Sequence, residues 1–410
     1  LVLTCGAGIT VFSTRAVLLA ATKLRRPATA RRATRRFFVE PESLGLDSKK
    51  LIELGEDLNR RYIEEGLMKG AFLAVVMRGQ VVAIWEMGDY TENTVYKLYS
   101  ITKVFTAIAG LQMAEERGIS LDEPICNLVP EWPAAVKIQE GEGKLRAARG
   151  EVLLRHCLTH TAGFSSVLPT VHPSNSLRAI ERQRLQARIS GRLGPPQDLR
   201  EAVEREGKHP HMFDPGSHFN YCGVGSQLVA RFLEQASGLN ISECLEQSLF
   251  EPTGMESTGF IIDEKLAKQC VSTDYHPWII QAVADGTPGS RWQRLKLRLR
   301  GILGSLLGKA YFDDLKPPGV GVILRKKLWD RSLQLFHPEA GVVGTGADFV
   351  KWLAMLTNGG KATDARGSRQ VLSKSTLASL ATPATPELEA PFALDAPTVP
   401  GKLFPIRNYK

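Results

Sequence analysis

The chain has 410 residues, 43% of them hydrophobic and 23% charged, the make-up of an ordinary folded protein with room for one large domain or two modest ones. No unbroken apolar run of about 20 residues occurs, so nothing demands a transmembrane helix. The net charge of +9 would suit a nucleic-acid partner if it were spread over the body of the protein, and it is not.

Residues 1–39 carry eight basic residues (Arg15, Lys23, Arg25, Arg26, Arg31, Arg32, Arg35, Arg36) and no acid, which leaves 44 basic residues against 43 acidic ones in the rest. The remainder is close to neutral, and its charge gives no case for DNA or RNA. The basic stretch begins at Leu1, is rich in Arg, Ala and Thr, and reads as an organelle-targeting transit segment, mitochondrial or plastid, or as a disordered tail. Without such a signal the cytoplasm is the expected location. A secretory signal would put its charge before the apolar run, whereas here Ala16 to Ala21 precedes the main charge cluster. Six scattered cysteines without a C-x-x-C pair suggest neither a zinc site nor a disulfide framework.

After the tail, a single domain is expected over 40–410. Ser48 to Glu65 has helical periodicity, with Leu51, Ile52, Leu54, Leu58, Tyr62 and Ile63 on one side. Ala71 to Met77 and Val81 to Trp85 are strand-like and separated by Arg78-Gly79-Gln80, a hairpin signal. Ser100 to Arg117 is a helix ending at Gly118, and further helices are predicted at 151–159, 176–206, 225–237, 241–249 and 347–357, the last closing on Asn358-Gly359-Gly360. Strands first and a long helical stretch after them give an α+β arrangement with a helical subdomain. Residues 286–312 form a basic insertion with six basic residues and no acid. It reads either as an amphipathic helix making weak membrane-surface contact or, preferably, as a solvated insertion along one edge of the site.

The chemistry centres on Tyr99-Ser100-Ile101-Thr102-Lys103, an S-x-x-K motif opening a helix. Residues three apart share a helix face, so the Lys103 amine reaches the Ser100 hydroxyl and is placed to take its proton. The first turn of a helix also has N–H groups without intrahelical partners, so the Ser100 N–H is available to a developing oxyanion. Alone, such a motif is a weak signal.

Three further segments strengthen it. Leu154-Arg-His-Cys-Leu-Thr-His-Thr-Ala-Gly163 resembles an L-x-x-L-L-T-H-T-S-G signature, Pro215-Gly-Ser-His-Phe-Asn-Tyr221-Cys-Gly223 resembles a Y-x-N element, and Ala340 to Gly360 is similar to A-G-G-L-x-S-T…M-L-x-N-G-G. Together with Ser100-Ile-Thr-Lys103 they resemble the serine β-lactamase family over about residues 45–385. Specifically, they resemble the class C β-lactamase and esterase branch that also holds D-alanyl-D-alanine peptidase-like proteins. The resemblance implies a β-lactamase/transpeptidase-like fold, an antiparallel sheet flanked by helices. It implies Ser100 as acylated nucleophile, Lys103 as its partner and Tyr221 as second base or proton shuttle, the phenolate being favoured beside an ammonium. Tyr99, His160 and Gly223 then shape the site, His160 by bracing a loop beneath it. No cofactor is implied, and His156, His209, His211 and His218 lack the spacing of a metal site.

Two departures qualify the resemblance. Gly223 stands where the family carries an amide, which favours ester hydrolysis or acyl transfer over penicillin hydrolysis, and the expected substrate is a small ester, thioester or amide. The third motif, K-T-G or H-x-G on a sheet strand, has no counterpart after Gly360, where Lys361-Ala-Thr comes too early and in a loop context. A chain incomplete at its C-terminal end is the simplest expectation. The alternatives to an acyl-enzyme hydrolase or acyltransferase are an impaired scaffold that keeps the fold, and a β-lactamase or D-Ala-D-Ala peptidase-like amide hydrolase. Oligomeric state is not legible.

Overall fold

The computed structural model describes residues 34–65, 68–140, 144–164, 196–260, 270–271, 336–364 and 367–385. The basic insertion at 286–312, most of the helix expected over 176–206, and residues 1–33 lie outside them.

The architecture is α+β. The predicted hairpin is present as β2 (Gly70–Met77) and β3 (Gln80–Gly88), antiparallel with Met77 opposite Gln80. Its turn is two residues rather than three. Arg78 (φ 50°) and Gly79 (φ 77°) both take positive φ, the geometry that matches the twist of paired strands. On the far side of β3 lies β1 (Thr34–Phe37), and Arg36 is 2.8 Å from Glu92. The stretch expected as an unfolded segment over 1–39 therefore ends in a strand, because its last residues find a ladder partner and a carboxylate.

Strand periodicity assigns the two faces of the sheet. Leu73, Ala83, Trp85 and Met87 pack with Ile63 and, less deeply, with Leu51 and Leu58 from α1 (Ser48–Leu58) and the π-helical turn that continues it, Asn59–Glu64. Contact is so close that a Cβ on Gly55 would lie 2.2 Å from the Trp85 indole nitrogen. Ala74 and Ile84 face the other way, toward Val350.

That second layer starts with the short strand β4 (Val95–Lys97), passes a 3₁₀ turn at Tyr99–Ile101, and enters helix α2 (Thr102–Arg117), capped by Gly118. A short helix α3 (Ile125–Leu128), the hairpin β5 (Lys137–Gln139) and β6 (Leu145–Ala147), and α4 (Leu154–Leu158) follow. Next come α5 (Leu199–Gly207), α6 (Val224–Ser237) and α7 (Ile241–Leu245). Two buried clusters hold them. One gathers Phe105, Ile108, Phe250 and Trp352, with Phe105 edge-on to Phe250 at 5.1 Å and to Trp352 at 5.0 Å. The other gathers Trp132, Leu154, Val203, Leu228 and Phe232.

The chain returns through β7 (Val343–Thr345), antiparallel to β4, into α8 (Gly346–Thr357). Gly359 and Gly360, both at positive φ, then turn it into the hairpin β8 (Lys361–Asp364) and β9 (Gly367–Gln370) and the helix α9 (Lys374–Ala381). Lys361-Ala-Thr, expected in a loop, is thus strand, but in a separate two-stranded hairpin. Among the described residues β2 is an edge of the three-stranded sheet. An apolar groove lies beside it, lined by Phe72, Tyr96, Leu98, Ile101, Phe349 and Leu353 among others.

Candidate active site

Two helix starts and one returning segment meet at Ser100. The serine lies in the 3₁₀ turn before α2, so the regular helix begins two residues later than expected. The first bond of that turn runs from the Ile101 N–H to the Leu98 carbonyl at 3.0 Å, and the Ser100 N–H comes before it. Tyr99 holds φ 45°, unusual for a residue with a side chain and a sign of a tightly constrained turn just ahead of the hydroxyl. Ser100 itself is exposed.

Lys103, in the first turn of α2, donates to Ser100 Oγ at 3.2 Å and to the Glu339 carbonyl at 2.8 Å. That carbonyl belongs to the segment before β7, which is fixed to α2 at two more points. Thr106 Oγ1 donates to the Pro338 carbonyl at 2.8 Å, and the Val342 N–H donates to Thr102 Oγ1 at 3.1 Å. The lysine is thereby held over the serine.

Tyr221 arrives from the start of α6. Its position depends on close backbone approaches. A Cβ on Gly225 would lie 2.3 Å from the Cys157 carbonyl oxygen of α4, and one on Gly110 would lie 2.5 Å from Val229 Cγ1. The three predicted residues are therefore brought together. The lysine meets the tyrosine at its ring face: Lys103 Nζ lies 5.0 Å from the Tyr221 ring centroid, a cation–π contact. Tyr221 is 49% exposed.

His160 lies against this arrangement and is bonded to it. At φ 58° its carbonyl accepts from the Asn220 N–H at 2.8 Å, its Nδ1 accepts from the Cys222 N–H at 3.3 Å, and its ring lies 4.5 Å from that of Tyr221. Burial, and after it the Lys103 charge, push the imidazole pKa down to about 4, so the ring is neutral at neutral pH. Of the other histidines, His211 is buried with Nδ1 on the Ala162 carbonyl at 2.8 Å. Among the described residues no group of His, Cys, Asp and Glu could hold a metal.

Sequence reasoning missed Glu339. Its side chain packs on Gly223, where an added Cβ would be 3.1 Å from Glu339 Cγ. Gln227 Nε2 donates to its Oε1 at 3.1 Å, and His337 Nδ1 is 3.4 Å from the same oxygen. Burial acts to raise the carboxyl pKa, but the His337 and Gln227 contacts outweigh it and hold the group below its ordinary value. The only hint in the sequence was its place immediately before Ala340-Gly341.

The arrangement can be set beside known proteins. A family model described as Beta-lactamase matches residues 56–401. The chain belongs to the beta-lactamase family. Among curated relatives, Monacolin J acid methylbutanoyltransferase of Aspergillus terreus is 30% identical over 184 residues, 42% of this chain and 40% of its own length. Esterase EstB of Burkholderia gladioli is 25% identical over 234 residues, 55% of this chain and 56% of its own. The chain thus spans about half the length, or less, of these curated relatives. Among solved structures, unliganded Simvastatin Synthase (LovD) from Aspergillus terreus superposes with a TM-score of 0.56 at 20% identity, covering 86% of this chain and 75% of that one. This last likeness speaks to the fold: the chain has the β-lactamase/transpeptidase-like architecture that the motifs implied. Family members of both kinds, acyltransferases and esterases, are thus among its relatives.

Proposed function

We propose that this protein is a serine hydrolase or acyltransferase that forms an acyl-enzyme at Ser100 on a small ester, thioester or amide. The observation that carries the reading is the position of Lys103 Nζ, bonded at once to Ser100 Oγ and to the Glu339 carbonyl and lying over Tyr221.

In the first half-reaction the unprotonated Lys103 amine takes the Ser100 proton as Oγ attacks the acyl carbonyl carbon. The new C–O bond places negative charge on the carbonyl oxygen, toward which the Ser100 N–H can donate. Collapse breaks the bond to the leaving alcohol, thiol or amine, which recovers the proton through Lys103 and Tyr221. In the second half-reaction water or an acceptor alcohol attacks the acyl-enzyme, giving its proton to the same pair. Oγ leaves and is reprotonated, so the serine returns to its starting state. Gly223 in place of an amide, and the relatives that are esterases and acyltransferases, favour these substrates over β-lactams.

A fluorophosphonate probe and a chromogenic short-chain ester test the reading. Ser100→Ala is expected to abolish labelling, and Lys103→Met to slow ester turnover by about 10²–10⁴-fold, the usual contribution of a positioned base. Labelling of Ser100→Ala equal to wild type removes Ser100 from the chemistry. A folded wild type that neither labels nor turns over points to a scaffold that keeps the fold alone.

A further inference from the structure

Exposed apolar surface gathers at the serine. Among the described residues eight large hydrophobic side chains are exposed, and three of them, Val104, Phe219 and Tyr221, belong to the two segments that meet at Ser100. Val104, 44% exposed, follows Lys103 in the first turn of α2. Phe219, 37% exposed, stands two residues before Tyr221 on the stretch that leads into α6. Apolar residues scattered singly over a surface need no explanation, whereas a cluster of them beside a reactive group marks a place where something binds.

Three rings make this surface continuous. Asn220, between the two aromatics, turns its amide the other way and donates Nδ2 to the Phe164 carbonyl at 2.7 Å. Phe219 and Tyr221 both lie against the His160 imidazole, the first edge-on at 5.9 Å between centroids and the second tilted at 4.5 Å. With that imidazole neutral at neutral pH, the ledge Phe219–His160–Tyr221 carries no charge of its own. A single atom ties its inner end to the chemistry, since Lys103 Nζ is 3.2 Å from Ser100 Oγ and 5.0 Å from the Tyr221 centroid. The ledge therefore starts beside the reacting oxygen and continues through His160 to Phe219. Ser100, Tyr221 and Phe219 are all exposed, so a substrate group reaches it from solvent without any opening of the fold.

We propose that this ledge is an aromatic subsite, with Phe219 as its specificity-determining residue, and that the ester taken by Ser100 carries an aryl ring on a short linker. The proposal rests on the acyl-enzyme reading for where the ester lies. An aryl group laid against Phe219 and Tyr221 extends a run of rings that already meet edge-on or tilted, arrangements that the charge distribution of aromatic rings favours. It also covers apolar surface now in contact with water. The linker is short because the ledge begins next to Oγ.

The test reads binding, so that it does not depend on turnover. Ligand-observed NMR titrations of the Ser100→Ala protein at neutral pH compare ethyl 3-phenylpropanoate and its isomer 3-phenylpropyl acetate, which carry the ring on the acid and on the alcohol side, with their cyclohexyl counterparts and with ethyl pentanoate. At least one phenyl ester is expected to bind about tenfold more tightly than ethyl pentanoate, and at least as tightly as its cyclohexyl counterpart. Burial alone would rank the more hydrophobic cyclohexyl ring first. Phe219→Ala is expected to weaken binding of that phenyl ester by about 3–10-fold, the return for one aromatic pair, and to leave ethyl pentanoate unchanged. Phe219→Leu keeps apolar bulk without the ring, serves should the alanine variant not fold, and is expected to let the cyclohexyl ester rank first. No preference for either phenyl ester, a cyclohexyl ester that binds wild-type Phe219 more tightly, or a phenyl preference that survives both variants overturns the proposal. Fluorophosphonate labelling of wild type separates the two ideas. A labelled Ser100 without ring preference sinks the subsite alone, and a Phe219-dependent ring preference without labelling sinks the acyl-enzyme reading alone.

Discussion

Acid should destabilise this fold through a histidine that takes no part in the chemistry. His211 is 2% exposed, packed against Phe164 at 5.1 Å and Trp132 at 5.9 Å between ring centroids. Because a carbonyl can only accept, the contact with Ala162 at 2.8 Å requires the hydrogen on Nδ1. Nε2 is buried without a partner, so a second proton would have no acceptor. Burial accordingly pushes the pKa down to about 4 from the model-compound value of 6.5. The unfolded chain takes up the proton first, so stability is fully present above pH 6.5 and is lost as pH falls through 4. At about 1.4 kcal/mol per pH unit the whole window is worth about 3 kcal/mol, and about 2 kcal/mol of it is gone by pH 5. Buried His160 adds a loss of the same sign over the same range, and lowered carboxylates add theirs at lower pH, so wild type alone cannot isolate the term. The comparison is with His211→Asn, whose amide nitrogen can keep the bond to Ala162 and cannot titrate. Urea unfolding at pH 7.5 and pH 5 should show a stability loss in wild type larger by about 2 kcal/mol than in the variant. Identical losses would refute the assignment of a neutral, unpartnered imidazole.

The remaining expectations concern how Tyr221 is held. Gly225→Ala drives a Cβ into the Cys157 carbonyl, where backbone meets backbone and neither can rotate away. A cost of about 1–3 kcal/mol for overpacking exceeds the roughly 1 kcal/mol that Ala gains over Gly in a helix, so the melting temperature should fall, and an unchanged or raised value would contradict the packing. His160→Leu removes the acceptor for the Cys222 N–H and the ring beside Tyr221, and should lower kcat for ester hydrolysis by about tenfold or more with the fold retained by circular dichroism. An unchanged kcat would show that the brace is dispensable.

Much of this was legible because short-range patterns carry it. The spacing of Ser100 and Lys103 placed both on one helical face, two strand-like runs around Arg78-Gly79-Gln80 gave the hairpin, and Gly118 gave the end of α2. What was not legible depends on contacts far apart in the chain. Thr34–Phe37 reads as part of a charged tail because its strand state comes from β3, more than forty residues later. Lys361–Asp364 lacks the apolar alternation of a buried strand, since one side of its hairpin faces solvent, and so read as loop. Glu339 was passed over because a single acid has no periodicity. Its meaning appears only when Gly223, more than a hundred residues earlier, presents a bare backbone for it to cover.

The geometry of the site follows from a division of labour between rigid and strained parts. Ser100 and Lys103 sit at the mouth of α2, and Tyr221 at the mouth of α6. Those helices touch where Gly110 admits Val229, well below the site, so their starts cannot drift apart without opening a core that is close-packed. The residues that aim the functional groups lie in the turns outside the helices. Three non-glycine residues among the described ones take positive φ, and two of them are Tyr99 and His160. Each holds a conformation that costs about 1–3 kcal/mol, which persists only where surrounding contacts over-determine it. For His160 those contacts are identifiable, namely the bonds to Asn220 and Cys222 and the tilted ring contact with Tyr221. Removing them lets the loop relax, and the phenol that it supports leaves the lysine. The third wall, carrying Glu339, is tied to α2 by Thr102, Lys103 and Thr106 within little more than one helical turn. One ammonium therefore reports on all three walls, since its two hydrogen bonds and its ring contact each belong to a different one.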